Sequence, residues 1–407
     1  MNSTTNTIIA PNNNSNALSL NRNLGIVFLM VFTEFLIMGI SLGVLPAFIH
    51  QSLQLSNIWV GVVIGAQYAT TLLTRQLAGK MADHKGGKLS VITGIVFSAL
   101  SGAMLLAAVS VYSLPQLSLI LVLVGRILLG AGESFLVVGV FKWGFTIVGP
   151  ANTGKVMVWN GMGMYAGMAC GAPLAILLQA QTGLTTLFAI TIVLPFIIYF
   201  IMQMLPAVPL PKDTIKLPFI KAVSLVWASG SALALASIGF GGIASFISLY
   251  FVQNHWQNAS LALTAFGACY IAVRLFLSGT PDKFGGAKVA LISLGVEIAG
   301  QLLIWMGING TLTILGAAIT GMGMSLIFPS LGQLAVKKVE PANRGMAIAA
   351  YNAFFDLGMG ITAPLAGLIA GKSHYQYVYI LGALAAIASI MLVYWEQRKS
   401  VKQKETL

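Results

Sequence analysis

Apolar residues in this chain run in long uninterrupted stretches, without the alternation of a half-buried strand or the one-sided spacing of a soluble amphipathic helix. Each stretch is about 20 residues, enough for a helix rising about 1.5 Å per residue to cross a hydrocarbon layer roughly 30 Å thick. Twelve spans can be placed: residues 24–45, 58–79, 88–111, 117–139, 155–178, 185–205, 222–252, 259–278, 288–307, 311–334, 345–371 and 376–395. A transmembrane barrel would need short alternating strands instead, so the pattern predicts an all-α membrane protein with twelve transmembrane helices.

The polar breaks between spans carry a repeat. Arg75, Gly79, Asp83, Gly86, Gly87 and Lys88 in the loop after span 2 return as Arg274, Gly279, Asp282, Gly285, Gly286 and Lys288 after span 8. The Arg and Asp positions are both displaced by 199 residues. Inside the membrane, Gly130, Gly132 and Ser134 of span 4 return as Gly321, Gly323 and Ser325 of span 10, and Gly154 and Pro173 of span 5 as Gly345 and Pro364 of span 11, all displaced by 191. Asn160 and Asn352 match at 192. Ordered features at fixed offsets imply two homologous six-helix bundles, 24–205 and 222–395. Residues 206–221, with four prolines and three lysines, read as the linker; 1–23 and 396–407 read as tails, the first disordered. Residues 1–23 lack the features of a cleaved secretory signal, so span 1 is expected to remain as a membrane helix.

Composition agrees with membrane burial: 57% of residues are hydrophobic and 8% charged, against about 25% charged in an ordinary globular protein. The net charge of +12 raises the question of nucleic acid until the charges are placed on the topology. Of 22 Lys and Arg, three lie inside spans (Arg75, Arg126 and Arg274), Lys372 alone lies on one face, and the other 18 lie on the opposite face with both tails. That bias predicts cytoplasmic termini and attraction to anionic lipid, with no nucleic acid. Cys170 and Cys269 fall in different spans, so neither a disulfide nor a metal site is expected, and no cofactor is implied. Walker and nucleophile-elbow motifs are missing from the sequence, which gives no support to ATP-driven transport or to an enzyme.

The string GKMADHKGGK at 79–88 resembles the loop 2–3 motif of the major facilitator superfamily, with Gly79, Asp83, Gly86 and Lys88 matching and His84 and Gly87 at positions usually basic. Arg126, Gly130 and Gly132 are similar to that family's span 4 arginine-glycine motif. Span 5, GMYAGMACGAPL from Gly163, resembles the motif of the proton-antiporter branch, but Ala172 separates Gly171 from Pro173. The resemblance covers nearly the whole chain. It implies alternating access, and a gating role for Arg75, Gly79, Asp83, Gly86, Lys88, Arg274, Asp282 and Gly285. By it, Asp83 braces the start of span 11 near Gly345 and Asp282 the start of span 5 near Gly154, locking the cytoplasmic side in the outward-open state.

Charges inside spans each cost roughly 2.5–3.5 kcal/mol near mid-bilayer, so those retained invite a functional reading. Glu34, Arg126, Glu297 and Asp356 fall near mid-depth, with Glu133 nearer the cytoplasm on the same face as Arg126. A carboxyl there can alternate between charged and neutral as a cavity opens to either side. The proton-carrying order expected is Glu34, then Asp356, then Glu133, with Arg126 as the responding cation; a static ion pair is the alternative. Glu297, on a span peripheral in the resembled fold, reads as structural. Arg126 and Glu133 have no charged counterparts, since 191 residues on stand Ala317 and Met324.

Asn160, Ser245, Phe328, Tyr351, Asn352 and Phe355 are candidate cavity residues, and Gly239, Gly241 and Gly242 of span 7 are candidates for a flexible lining helix. The leading expectation is a monomeric bacterial inner-membrane transporter that exports a small amphipathic or drug-like solute by proton antiport. A proton-coupled importer of a sugar, organic acid or amino acid is the alternative within transport. A transporter-like receptor without turnover is the alternative outside it.

Overall fold

The computed structural model describes residues 13–149, 153–206, 208, 218–337, 339, 344–371 and 374–405. Along them run α1 (Asn13–Ala47), α2 (Asn57–His84), α3 (Gly87–Ser110), α4 (Pro115–Val148), α5 (Thr153–Met202), α6 (Phe219–Gln253), α7 (Ser260–Leu277), the short α8 (Thr280–Phe284), α9 (Gly286–Met306), α10 (Gly310–Val336), α11 (Arg344–Ala370) and α12 (Gln376–Glu405). Among the described residues no strand occurs.

Among the described residues, ten helices are long and apolar enough to cross a membrane. One of these, α5, bends at Gly183, whose φ of 81° is open to glycine at no steric cost, and so carries two of the predicted spans. Helix α2, more polar, carries the remaining one, which makes twelve. Helix α1 begins at Asn13 and α12 continues to Glu405, so both helices extend into the segments read as tails. Most of the linker lies outside the described residues, as do residues 1–12 and Lys212, Lys216, Lys338 and Lys372.

The repeat seen in sequence reappears as repeated contact. A Cβ added to Gly130 would strike the Gln67 carbonyl, and one added to Gly321 would strike the Phe266 carbonyl, the same pair displaced by 191 and 199. Gly87 lies against the Gly139 carbonyl as Gly286 lies against that of Ser330. Small residues at these places let backbones approach, and in hydrocarbon close packing rather than the hydrophobic effect holds helices together. The fold is therefore two pseudosymmetric six-helix bundles.

Among the described residues the two main seams between the bundles are α2 on α11 and α5 on α7. At the end of the α2–α11 seam away from the duplicated loops, Gly61 and Gly65 press on Ala363 and Pro364. Asn57 Nδ2 there donates to the Gly371 carbonyl (2.6 Å) and to the Tyr375 hydroxyl (2.9 Å). On the α5–α7 seam, Thr264 Oγ1 donates to the Ala169 carbonyl (3.1 Å), and Tyr165 and Tyr270 stack with ring centroids 3.6 Å apart.

Deeper in the α2–α11 seam is a buried ion pair. Arg75 donates to Asp356 Oδ2 through Nε (2.9 Å) and through Nη2, with both side chains almost wholly enclosed. Removing one partner of such a pair strands the other charge, which costs about 3–5 kcal/mol, whereas replacing both with apolar groups of similar size can be neutral. Asp356→Ala is therefore expected to lower the melting temperature of the detergent-solubilised protein sharply, and Arg75→Met with Asp356→Leu to recover most of the loss. Gly171→Leu, where even a Cβ would lie 2.7 Å from Gly39 backbone, is expected to cost about 1–3 kcal/mol by overpacking. Gly295→Ala, which meets open space, should leave the same melting curve in place.

Candidate functional site

Between the bundles, on the side of the duplicated loops, lies a narrow cavity of about 60 Å³, well below the roughly 300–1,000 Å³ of a typical small-molecule site. From the first bundle it is walled by Phe35 of α1, Arg75 of α2, Glu133 and Phe141 of α4, and Asn160 and Tyr165 of α5. From the second come Tyr270 and Arg274 of α7, Phe328 of α10, and Asn352, Phe355 and Asp356 of α11. Apolar and aromatic walls with a few convergent charged groups suit an amphipathic solute.

Of the expected cavity residues, Asn160, Phe328, Asn352 and Phe355 line it. Two do not. Tyr351 stands behind the wall and donates its hydroxyl to the Phe328 carbonyl (2.9 Å). Ser245 is buried within α6 with its hydroxyl unpartnered. The glycines expected to make α6 a flexible lining helix are packing faces instead: Gly239 makes room for Glu297 and Gln301, Gly241 for Thr362 and Gly242 for Val378.

The acids are sorted by their surroundings. Glu133 lines the cavity, its Oε2 accepting from Gln67 Nε2 (3.1 Å) and Thr71 Oγ1 (3.2 Å). Glu34 is behind it, not on the wall, and takes the Ser98 hydroxyl at 2.7–2.8 Å. Asp356 lines the cavity but is committed to Arg75. Arg126, expected to answer these acids, is completely buried, and none of its three side-chain nitrogens has a hydrogen-bond partner among the described residues. The cation that pairs with Asp356 is Arg75, because α2 and not α4 forms the seam with α11.

Glu297 has an unexpected relation to Glu34. Ser98, which holds Glu34, is displaced by 199 to Glu297, and both sit against the glycine of the next helix, Gly132 and Gly323. Each bundle thus buries one acid at the same place, brought in by α1 in the first and by α9 in the second.

The duplicated loops behave alike. Asp83 accepts from Lys142 Nζ (2.7 Å) and Asp282 from Gln333 Nε2 (2.7 Å), and Lys142 and Gln333 are themselves displaced by 191. Each loop carboxylate thus reaches α4 or α10 of its own bundle; residues 150–152 and 340–343, at the starts of spans 5 and 11 where the resemblance puts the braces, lie outside the described residues. Gly86 and Gly285 take φ near +90° (90° and 87°) to turn the chain into α3 and α9. Gly79 meets open space, and Lys88 donates to Gln203 Oε1 (2.7 Å).

Arg274 is the counterpart of Arg75, but Tyr165 stands 191 residues before Asp356, where the symmetric acid would be. Arg274 therefore has one donor bond, from Nη1 to the Ser325 carbonyl (3.0 Å), and stacks near Tyr270 at 5.7 Å, while its Nε is buried without a partner. Tyr165 and Tyr270 escaped the reading of the sequence. The offset of 191 applied to Asp356 would have found the first, and the turn before Arg274 the second.

A family model described as Major Facilitator Superfamily matches residues 27–257 and again 230–407. An MFS-type transporter of Salmonella typhimurium is 40% identical over 364 residues, covering 89% of this chain and 94% of that one. Another, of Burkholderia pseudomallei, is 40% identical over 361 residues, covering 89% and 88%. Among solved structures, the human organic anion transporter MFSD10 (TETRAN) superposes with a TM-score of 0.72 at 15% identity, covering 92% of this chain and 99% of that one. The nucleoside transporter NupG superposes with a TM-score of 0.69 at 16% identity, covering 91% and 99%. At such identities the structural likeness is one of fold, whereas the family match and the 40% relatives reach across nearly all of the sequence: the chain belongs to the Major Facilitator Superfamily of multi-pass membrane transporters.

Proposed function

We propose that the protein is a monomeric, proton-coupled secondary transporter that exports a small amphipathic organic solute in exchange for protons, with the two bundles rocking about the central cavity. The observation that carries this reading is Glu133: a carboxyl on the cavity wall, held on one oxygen by neutral donors and in ion pairing with no cation among the described residues. Such a group can hand a proton to whichever side the cavity faces, and a solute with a positive group competes with that proton. Glu133 therefore replaces Glu34 as the proton carrier, and Glu34 becomes a buried acid behind it. Arg126 is the fixed positive charge of that interior, and Asp356 with Arg75 is the pivot between bundles.

The basic face is the cytoplasmic one in this reading, as the positive-inside bias supports, and the cell inner membrane is the setting that bacterial relatives support. The cavity then faces the cytoplasm in the described state, with the outer end of the α2–α11 seam closed by Asn57, Gly371 and Tyr375. The loop residues take part in gating as braces: Asp83 with Lys142, and Asp282 with Gln333, keep each bundle rigid while it tilts.

The test is a pH-sensitive dye inside vesicles reconstituted with the full chain and screened against amphipathic compounds. Solute added on one side is expected to move protons the opposite way in the native protein and in Glu34→Gln, and to move none in Glu133→Gln. Protons moving with the solute would replace exchange by cotransport, and coupling that survives in Glu133→Gln would remove that residue from its role.

A further inference from the structure

The cavity wall carries polar atoms that no described residue satisfies, and their kinds define what is missing. Arg274 is 6% exposed, forms no ion pair among the described residues, and leaves its Nε–H without an acceptor. On α5 and α11, Asn160 Oδ1 and Asn352 Oδ1 are shut from solvent and have no donor. Asn160 spends its own amide hydrogen on the Met164 sulfur (3.4 Å), a weak acceptor. A buried guanidinium without an anion and buried carbonyls without donors are each costly, so a ligand that supplies both partners gains on both counts.

Charge sharpens the requirement. Arg75 and Asp356 cancel, so the wall is left with Arg274 positive and Glu133 negative, on opposite bundles. A solute of either net charge leaves one of these facing its own sign or facing nothing. One carrying both charges leaves neither. The absence of an acid at Tyr165 is what frees Arg274 for this, because its symmetric counterpart Arg75 is already consumed.

We infer that the transported solute is an amphipathic zwitterion, its carboxylate held by Arg274 and its ammonium by Glu133 with the Asn160 and Asn352 carbonyls, and its apolar part against Tyr165, Tyr270 and Phe328. This deepens the reading of proton exchange and rests on it. The ammonium and the proton compete for one carboxylate, so loading the solute expels the proton. Arg274 meanwhile retains the carboxylate in either state of Glu133, which makes it a specificity residue and not a coupling one.

Three probes of nearly equal size separate the charges: phenylalanine, 3-phenylpropanoate without the ammonium, and phenethylamine without the carboxylate. Their binding to the detergent-solubilised full chain can be read by calorimetry. Phenylalanine is expected to bind the native protein about tenfold or more tightly than either analogue, one charge-assisted contact being worth at least that factor. Arg274→Gln should reduce phenylalanine to the level of phenethylamine and leave phenethylamine unchanged. Arg274→Lys, which keeps the charge and the fold, should retain part of the preference. Phenylalanine no stronger than the analogues in the native protein, absence of all three signals included, overturns the inference. So does an equal loss of phenylalanine and phenethylamine in Arg274→Gln. Zwitterion binding through Arg274 without any proton movement in vesicles would instead leave this inference standing and remove the exchange reading. Proton exchange driven by phenethylamine alone, unaffected by Arg274→Gln, would do the reverse.

Discussion

A charge enclosed between membrane helices has to be neutralised inside the protein, and the α2–α11 seam does this with Arg75 and Asp356. Because the two residues belong to different bundles, neutralising the charge also fixes where the bundles meet. Gly61 and Gly65 extend the same seam toward Pro364, and the cavity opens on its other side. The second seam has the cation and lacks the anion. That single vacancy in the charge pattern, with Tyr165 in the acid's place, gives the cavity its polarity.

Duplication accounts for what is alike in the two bundles, and divergence for what the cavity does. Backbone approaches such as Gly130 on Gln67 and Gly321 on Phe266 are retained in both, because helix packing in hydrocarbon depends on them. Apart from Arg75 and Arg274, buried charges are not retained in place. Arg126 and Glu133 face Ala317 and Met324 across the repeat, and the acid that α1 provides in one bundle is provided by α9 in the other. Packing constrains backbones, so its repeat is strict; a carboxyl only has to reach a given point, and either of two neighbouring helices can bring it there.

The sequence was legible where its signal is local or repeated. Long apolar runs gave the helices, fixed offsets the two bundles, and the motifs of loop 2–3 and spans 4 and 5 the family. Even the equivalence of Lys142 and Gln333 follows from an offset of 191, once Asp83 and Asp282 are known to reach α4 and α10. What was not legible is which face of a helix meets which partner. Counting depth placed Glu34, Asp356 and Arg126 on one level, but Asp356 is 281 residues from the arginine it binds, and depth holds no information on rotation. Gly239, Gly241 and Gly242 show the same limit: a run of small residues fits a mobile lining or a tight packing face, and only the bulk of Glu297, Thr362 and Val378 opposite decides.

The two loop braces differ by one charge, since Lys142 meets Asp83 where Gln333 meets Asp282. Both lie near the membrane surface and partly in water, where mobile ions weaken an ion pair over distances of about 10 Å at 0.1 M salt and act less on a hydrogen bond from a neutral amide to a carboxylate. The halves of this molecule therefore feel the ionic strength of their surroundings unequally. Rising salt loosens the first bundle's brace more than the second, so a machine built from near-copies carries an inherent left–right bias in how firmly each half is held.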